Sequence, residues 1–196
     1  MIKQSDRLNS VEEYYFSKKL REVSNMIQSG ESVINMAIGS PDLFPSIRVI
    51  DEIKNSLSDS FAHKYQSYQG LPELRDAIAK FYNKFFGVEL NPLNEVLPLM
   101  GSKEGIMHIS LAFLNPGDDV LIPNPGYPTY LSVTKLVEAS PVFYNLSEEN
   151  SWFPNLSELE NKDLSKVKLM WINYPHMPTG AYANLDQFQK LLEFAK

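Results

Sequence analysis

The chain has 196 residues, of which 43% are hydrophobic and 21% charged; this fits one globular domain with a substantial core and excludes a disordered polypeptide. Its formal net charge of -6 leaves no basic footprint for nucleic acid, and the lack of cysteine excludes disulfides and thiolate metal sites. No apolar run of about 18 residues occurs and Met1–Ser10 has no apolar signal core, so the expected setting is the cytoplasm, with no membrane partner.

Leu20, Val23 and Ile27 recur at helical spacing within 11–29, with Gly30 as a stop, which predicts an amphipathic N-terminal arm. Residues 33–44 read as extended chain around Gly39-Ser40-Pro41-Asp42. A helix over 46–59 follows, with Ile47, Ile50, Ile53 and Leu57 on one stripe. The strongest amphipathic pattern lies at 72–86, where Leu74, Ile78, Phe81 and Phe85 predict a buried face and Pro72 suits the first turn. Arg75 on this helix reads as structural.

From residue 95 the rhythm becomes alternating strand and helix: strands at 95–100, 119–123, 141–146 and 167–173, helices at 102–114, 128–138 and 184–196. Val120-Leu121-Ile122 and the run from Val167 to Ile172 are almost continuously apolar, the pattern of parallel strands covered on both faces. Ile106, Ile109 and Phe113 predict the buried stripe of the 102–114 helix. Asn115-Pro116-Gly117-Asp118 marks a turn, and the polar 145–165 stretch predicts a surface excursion with one short helix. Asn184 is the expected N-cap of the final helix, with Phe188, Leu191, Leu192 and Ala195 as its apolar stripe. That helix runs to Lys196 with no stop signal, so the expectation is a truncated α/β domain.

Three places carry chemistry. Met100-Gly101-Ser102-Lys103-Glu104-Gly105 joins a strand to a helix, where unpaired amides and the positive helix end favour an anion; a plain turn with Ser102 as N-cap fits the same residues. Pro123-Asn124-Pro125-Gly126-Tyr127-Pro128-Thr129-Tyr130 presents an aromatic after a strand, although a core-packed turn aromatic reads the same way. Trp171-Ile172-Asn173-Tyr174-Pro175-His176-Met177-Pro178-Thr179-Gly180 runs from a buried strand into a rigid turn, the usual place for ligands in α/β proteins. His63 and His108 are isolated, without metal-ligand spacing.

Together with Asn35-Met36-Ala37-Ile38-Gly39-Ser40-Pro41-Asp42 and Tyr65-Gln66-Ser67-Tyr68-Gln69-Gly70-Leu71-Pro72-Glu73-Leu74-Arg75, these motifs stand in the order found in class I and II aminotransferases. The chain resembles that family, and within it the aspartate and LL-diaminopimelate aminotransferase subgroup. The resemblance implies the three-layer α-β-α large domain of fold type I with a mostly parallel sheet, preceded by a helical arm. Residues 1–45 would be the arm and a small-domain segment, and 46–196 the first half of the large domain.

It also implies pyridoxal 5'-phosphate (PLP) as cofactor, an amino acid and a 2-oxo acid as substrates, and a homodimer. Ser102 and Lys103 would bind the phosphate, Tyr127 would lie on the pyridine ring, and Tyr65 would reach the partner's cofactor. Gly39 would meet the substrate carboxylate, and Tyr14 or Tyr15 would approach the substrate. Met177 stands where the family has an Asn that donates to the cofactor's phenolic oxygen, and a thioether has no hydrogen to donate. His176 could take over that contact or be a partly exposed turn histidine. No lysine of this chain matches the family's Schiff-base lysine, so no catalytic residue is assigned. The resemblance leaves open a PLP-dependent lyase or decarboxylase on the same fold, or a non-catalytic remnant.

Overall fold

Three parallel strands in the order β2-β1-β3 form the only sheet among the described residues of the structure, a computed structural model that describes residues 2–11, 13–36 and 38–196. Glu12 in the expected first helix and Ala37 in the Asn35–Asp42 element lie outside the described residues. The chain divides into two compact units, Met1–Glu12 with Met100–Lys196 and Glu13–Leu99.

The first unit is the α/β layer structure. Strand β1 (Asp119–Asn124) pairs in parallel with β2 (Ser140–Asn145) on one side and β3 (Val167–Met170) on the other. As the central strand it is buried from Val120 to Pro123, and Val120 and Leu121 are 0% exposed. Successive side chains point to opposite faces. Val120 and Ile122 pack with Ile106 of α4 (Ser102–Phe113) and with Tyr130 and Val133 of α5 (Pro128–Leu136). Leu121 packs on the other face with Tyr144, Leu159 of α6 (Leu156–Glu160) and Phe194 of α7 (Leu185–Phe194). This is the helix–sheet–helix layering expected of fold type I. Asn184 caps α7 in a reciprocal capping box with Gln187, as its position predicts.

The second unit holds α1 (Tyr15–Gln28), α2 (Ile47–Ser56) and α3 (Pro72–Phe86). Pro72 starts α3 where its missing N–H costs nothing, and Gly87 ends it in the left-handed conformation.

Several expectations need correction. Residues 95–100 form no strand: among the described residues nothing pairs with them, and without a ladder an extended segment is not a strand. Strand β3 ends at Met170 rather than 173. The Trp171 amide still bonds the Leu121 carbonyl at 3.0 Å, but the chain then turns. The apolar stripes are only partly buried. On α3 the covered residues are Arg75 and Ala79, while Leu74, Phe81 and Phe85 are exposed. Arg75 is buried because its guanidinium Nη1 donates to the Pro92 and Leu93 carbonyls at 3.1 and 3.2 Å, the structural role its position suggested. On α4 Ile106 is buried but Ile109 and Phe113 are exposed, and on α7 only Leu191 of the four stripe residues is buried. A 3-10 turn at Asp6–Ser10, absent from the sequence reading, is joined to the sheet unit by an ion pair between Arg7 and Glu138 at 3.3 Å.

Candidate functional site

The cradle begins at Gly101. Its φ of 96° and ψ of 159° lie where a side chain is strained, and the residue turns the chain sharply into α4. Gly101, not Ser102, is therefore the N-cap, and Ser102 and Lys103 occupy the first turn, whose amides have no carbonyl inside the helix. Glu104 folds back so that Oε2 accepts from the Met100 amide. This fixes the entry to the helix, much as a capping box does. The signal was visible as a glutamate at the third helical position, though the residue reads as a surface side chain.

Tyr127 stands at the N-cap of α5, directly after β1, and is half-buried. Gly126 must be glycine for a steric reason: a β-carbon there would overlap the Pro123 carbonyl oxygen and approach Pro123 Cγ to 2.8 Å. Behind Tyr127 stands a run of rings. Tyr130 meets Tyr127 edge-on at 5.7 Å, and Trp171, at the end of β3, stacks on Tyr130 at 5.1 Å with 8° between the planes. Lys103 Nζ lies 5.8 Å from the Tyr127 ring centroid. The start of α4 and the Tyr127 face thus form one corner: an open helix N-terminus and a cation beside an aromatic surface. Burial, with Tyr127 as a lesser cause, pushes the Tyr130 phenol up, so it is neutral at physiological pH.

The turn after β3 follows directly on Trp171, whose ring stacks on Tyr130. Met177 is 45% exposed, and its amide donates to Asn173 Oδ1 at 3.0 Å. His176 is not a partly exposed turn residue; it is 3% exposed. Its Nδ1 lies 2.8 Å from Thr179 Oγ1, while its backbone exchanges bonds within the turn, N–H to the Ala181 carbonyl at 2.7 Å and carbonyl from the Gly180 amide at 2.6 Å. Burial holds the imidazole pKa below its ordinary value, and the adjacent Pro125 carbonyl opposes this more weakly.

Ser102, Lys103, Tyr127 and Met177 therefore belong to the sheet unit. Tyr14, Gly39 and Tyr65 belong to the helical unit, where Tyr65 is fully exposed, Tyr14 is the residue preceding α1, and Gly39 has open space where a β-carbon would point. The buried role of His176 and the Trp171–Tyr130 stack were not foreseen; their only sequence signals were the apolar strand ahead of the turn and the tyrosine repeat in Gly126–Tyr130.

The family profile described as aminotransferase class I and II matches residues 31–196. The chain belongs to this family. Its members use PLP. The chain is 43% identical over 194 residues to an LL-diaminopimelate aminotransferase of Dehalococcoides mccartyi, covering 99% of this chain and 50% of that protein. It is 40% identical over 196 residues to the enzyme of the same name from Aquifex aeolicus, covering 100% and 51%. Its structure matches that of apo-BacF from Bacillus subtilis with a TM-score of 0.93 at 35% identity, covering 100% of this chain and 50% of the other. The chain spans about half the length of the curated relatives it matches. Among the described residues no helix is long and apolar enough to cross a membrane, and no three His, Cys, Asp or Glu side chains group as a metal site.

Proposed function

We propose that the full-length protein of which this chain is the N-terminal half is a PLP-dependent aminotransferase, moving an amino group between an amino acid and a 2-oxo acid. The observation that carries this reading is the corner itself: the open first turn of α4 and the Tyr127 ring converge, with Lys103 Nζ 5.8 Å from the ring centroid. The residues fit a planar, phosphorylated cofactor. The amides of Ser102 and Lys103 and the Ser102 hydroxyl would hold the phosphate, and Tyr127 would support the ring, an offset contact worth about 0.5–1.5 kcal/mol. When bound, the cofactor supplies the electron sink of the reaction. The chain's own contribution is to orient it: Glu104 and Gly101 set the helix entry, and Gly126 sets the height of the shelf. Met177 offers no donor where the family has Asn.

Tyr65 would reach the cofactor of a second subunit in a homodimer, and Gly39 and Tyr14 would face the substrate. Residues 1–45 would serve as arm and small-domain segment, 46–196 as the first half of the large domain, and the setting would be the cytoplasm. The names of the relatives make LL-diaminopimelate the first amino donor to try. The test is to purify the full-length protein, titrate it with PLP by absorbance, and assay amino transfer with a panel of amino acids that includes LL-diaminopimelate. Stoichiometric binding with transfer is expected, and Tyr127→Ala should weaken binding about 2- to 12-fold, the equivalent of the stacking energy. A full-length protein that does not bind PLP would overturn the reading.

A further inference from the structure

Strand β1 sends the chain to the opposite face of the sheet from both of its neighbours. It leads to α5, which packs beside α4 on one face, while β2 and β3 lead to α6 and α7 on the other. The chain therefore diverges from both neighbours at the site end of β1. On the β3 side the Trp171 amide still reaches the Leu121 carbonyl. On the β2 side a pair of side chains closes the ladder.

Asn124 and Asn145 stand opposite each other at the last rung of the β1–β2 register. Asn124 Nδ2 donates to Asn145 Oδ1 at 3.0 Å, and the Asn124 carbonyl accepts from the Leu146 amide at 2.8 Å. The clasp survives reversal of both carboxamides, which only exchanges donor and acceptor. Tyr144 and Leu146, on either side of Asn145, pack on the α6–α7 face, whereas Val120 and Ile122 pack on the α4–α5 face. By alternation both asparagines lie on the α4–α5 side, where Tyr127 also packs. Tyr127 follows Asn124 through a turn with no room for a β-carbon at Gly126, and packing this close carries a displacement of Asn124 to the ring.

We propose that Asn145 is a positioning residue: through its side-chain bond to Asn124 it holds the end of β1 against β2 and so seats the 125–127 turn. That the seated Tyr127 serves a cofactor rests on the aminotransferase reading; the clasp does not. Both side chains are exposed, so water competes for their bond, and its worth is what the test measures.

Leu has nearly the shape of Asn without its polar atoms, and Asp keeps an acceptor at the same reach. Amide hydrogen exchange on the full-length protein without PLP, followed by mass spectrometry of peptides covering 123–131, reads the turn directly. Asn145→Leu should exchange about 2- to 12-fold faster there than the native protein, the equivalent of one net hydrogen bond, and Asn145→Asp should stay close to native. Asn124→Leu should match Asn145→Leu, and the double variant should go no further, because the two residues share one bond. The PLP dissociation constant of Asn145→Leu, from absorbance titration, should rise by a factor of the same size. The charge of Asp bears on phosphate affinity, so that variant is judged by exchange alone.

Native exchange in Asn145→Leu, an Asn145→Asp protein as loose as Asn145→Leu, or additive effects in the double variant would each overturn the clasp. Faster exchange with an unchanged PLP dissociation constant would overturn its part in seating Tyr127. If Asn145→Leu fails to fold, Asn124→Leu takes its place in each comparison. A native full-length protein that fails to bind PLP counts against the aminotransferase reading alone, because the exchange experiments need no cofactor.

Discussion

His176 sets a pH dependence whose sign follows from its burial. Its folded pKa lies below the ordinary imidazole value near 6.5, chiefly through desolvation, so the unfolded chain takes up the proton first. The stability this histidine leaves intact above about pH 6.5 is therefore lost as pH falls from there toward the folded pKa. Between about pH 7.5 and 5.5 the melting temperature of the full-length protein should fall more steeply than that of His176→Gln, as followed by scanning fluorimetry. Parallel curves would show that the imidazole is not desolvated. Met177 gives a second test at this scale. Restoring Asn should supply a donor to the cofactor's phenolic oxygen, and a charge-assisted bond is worth roughly 1.5–3 kcal/mol. The pH-dependent absorbance transition of the PLP-loaded protein should move down by about one unit or more in Met177→Asn. An unchanged transition would mean that the turn does not address that oxygen. Gly101 offers the third. Its conformation is open only to glycine, so Gly101→Ala should cost about 1–3 kcal/mol in stability by denaturant titration and weaken PLP binding with it.

Among the elements, the sheet is braced by a side chain as well as by its ladder. Tyr144 stands on β2, yet its hydroxyl donates to the Trp171 carbonyl at 2.6 Å, just past the end of β3, while the Trp171 amide bonds Leu121 of β1. One residue thus joins all three strands at the end where the site lies. Tyr144 is 4% exposed and burial pushes its phenol up, so the hydroxyl remains a donor. Tyr144→Phe should cost about 1–3 kcal/mol, because it leaves a buried carbonyl with one partner fewer, and the loss should appear in chemical denaturation. How far the sequence revealed the elements follows from what each one needs. Helices α3 and α7 carry their start signals in Pro72 and Asn184, and β1 carries its burial in Val120-Leu121-Ile122; all three were legible. The 95–100 segment was not, because a strand is a relation between two segments and only one of them is visible locally. The stripes of α3 and α4 failed for a related reason: periodicity shows which face is apolar, but what covers that face is decided elsewhere. In the corner, Gly101, Ser102 and Tyr127 were legible as a pattern. The burial of His176 was not, since periodicity shows no partner that would cover a turn residue.

At the scale of the whole chain, much apolar surface faces outward. Phe81, Phe85, Phe86, Leu97, Phe113 and Leu192 are all at least half exposed, and β2 and β3 each present an outer edge with no neighbouring strand among the described residues. Unpaired edges and contiguous apolar surface recruit other chains. Residues 1–196 produced alone should therefore self-associate in light scattering coupled to size exclusion; a monomer with a single cooperative unfolding transition would contradict this. The aromatic run behind the site has a consequence of a different kind, an optical one. Trp171 and Tyr130 lie nearly parallel, and Tyr127 meets Tyr130 edge-on, so three chromophores are locked in a fixed chiral arrangement that spans the end of β3, helix α5 and the site loop. Rings held this way give near-ultraviolet circular dichroism, which vanishes when packing loosens even if helices persist. The protein thus carries its own gauge of whether the shelf is formed, readable before any cofactor or substrate is added.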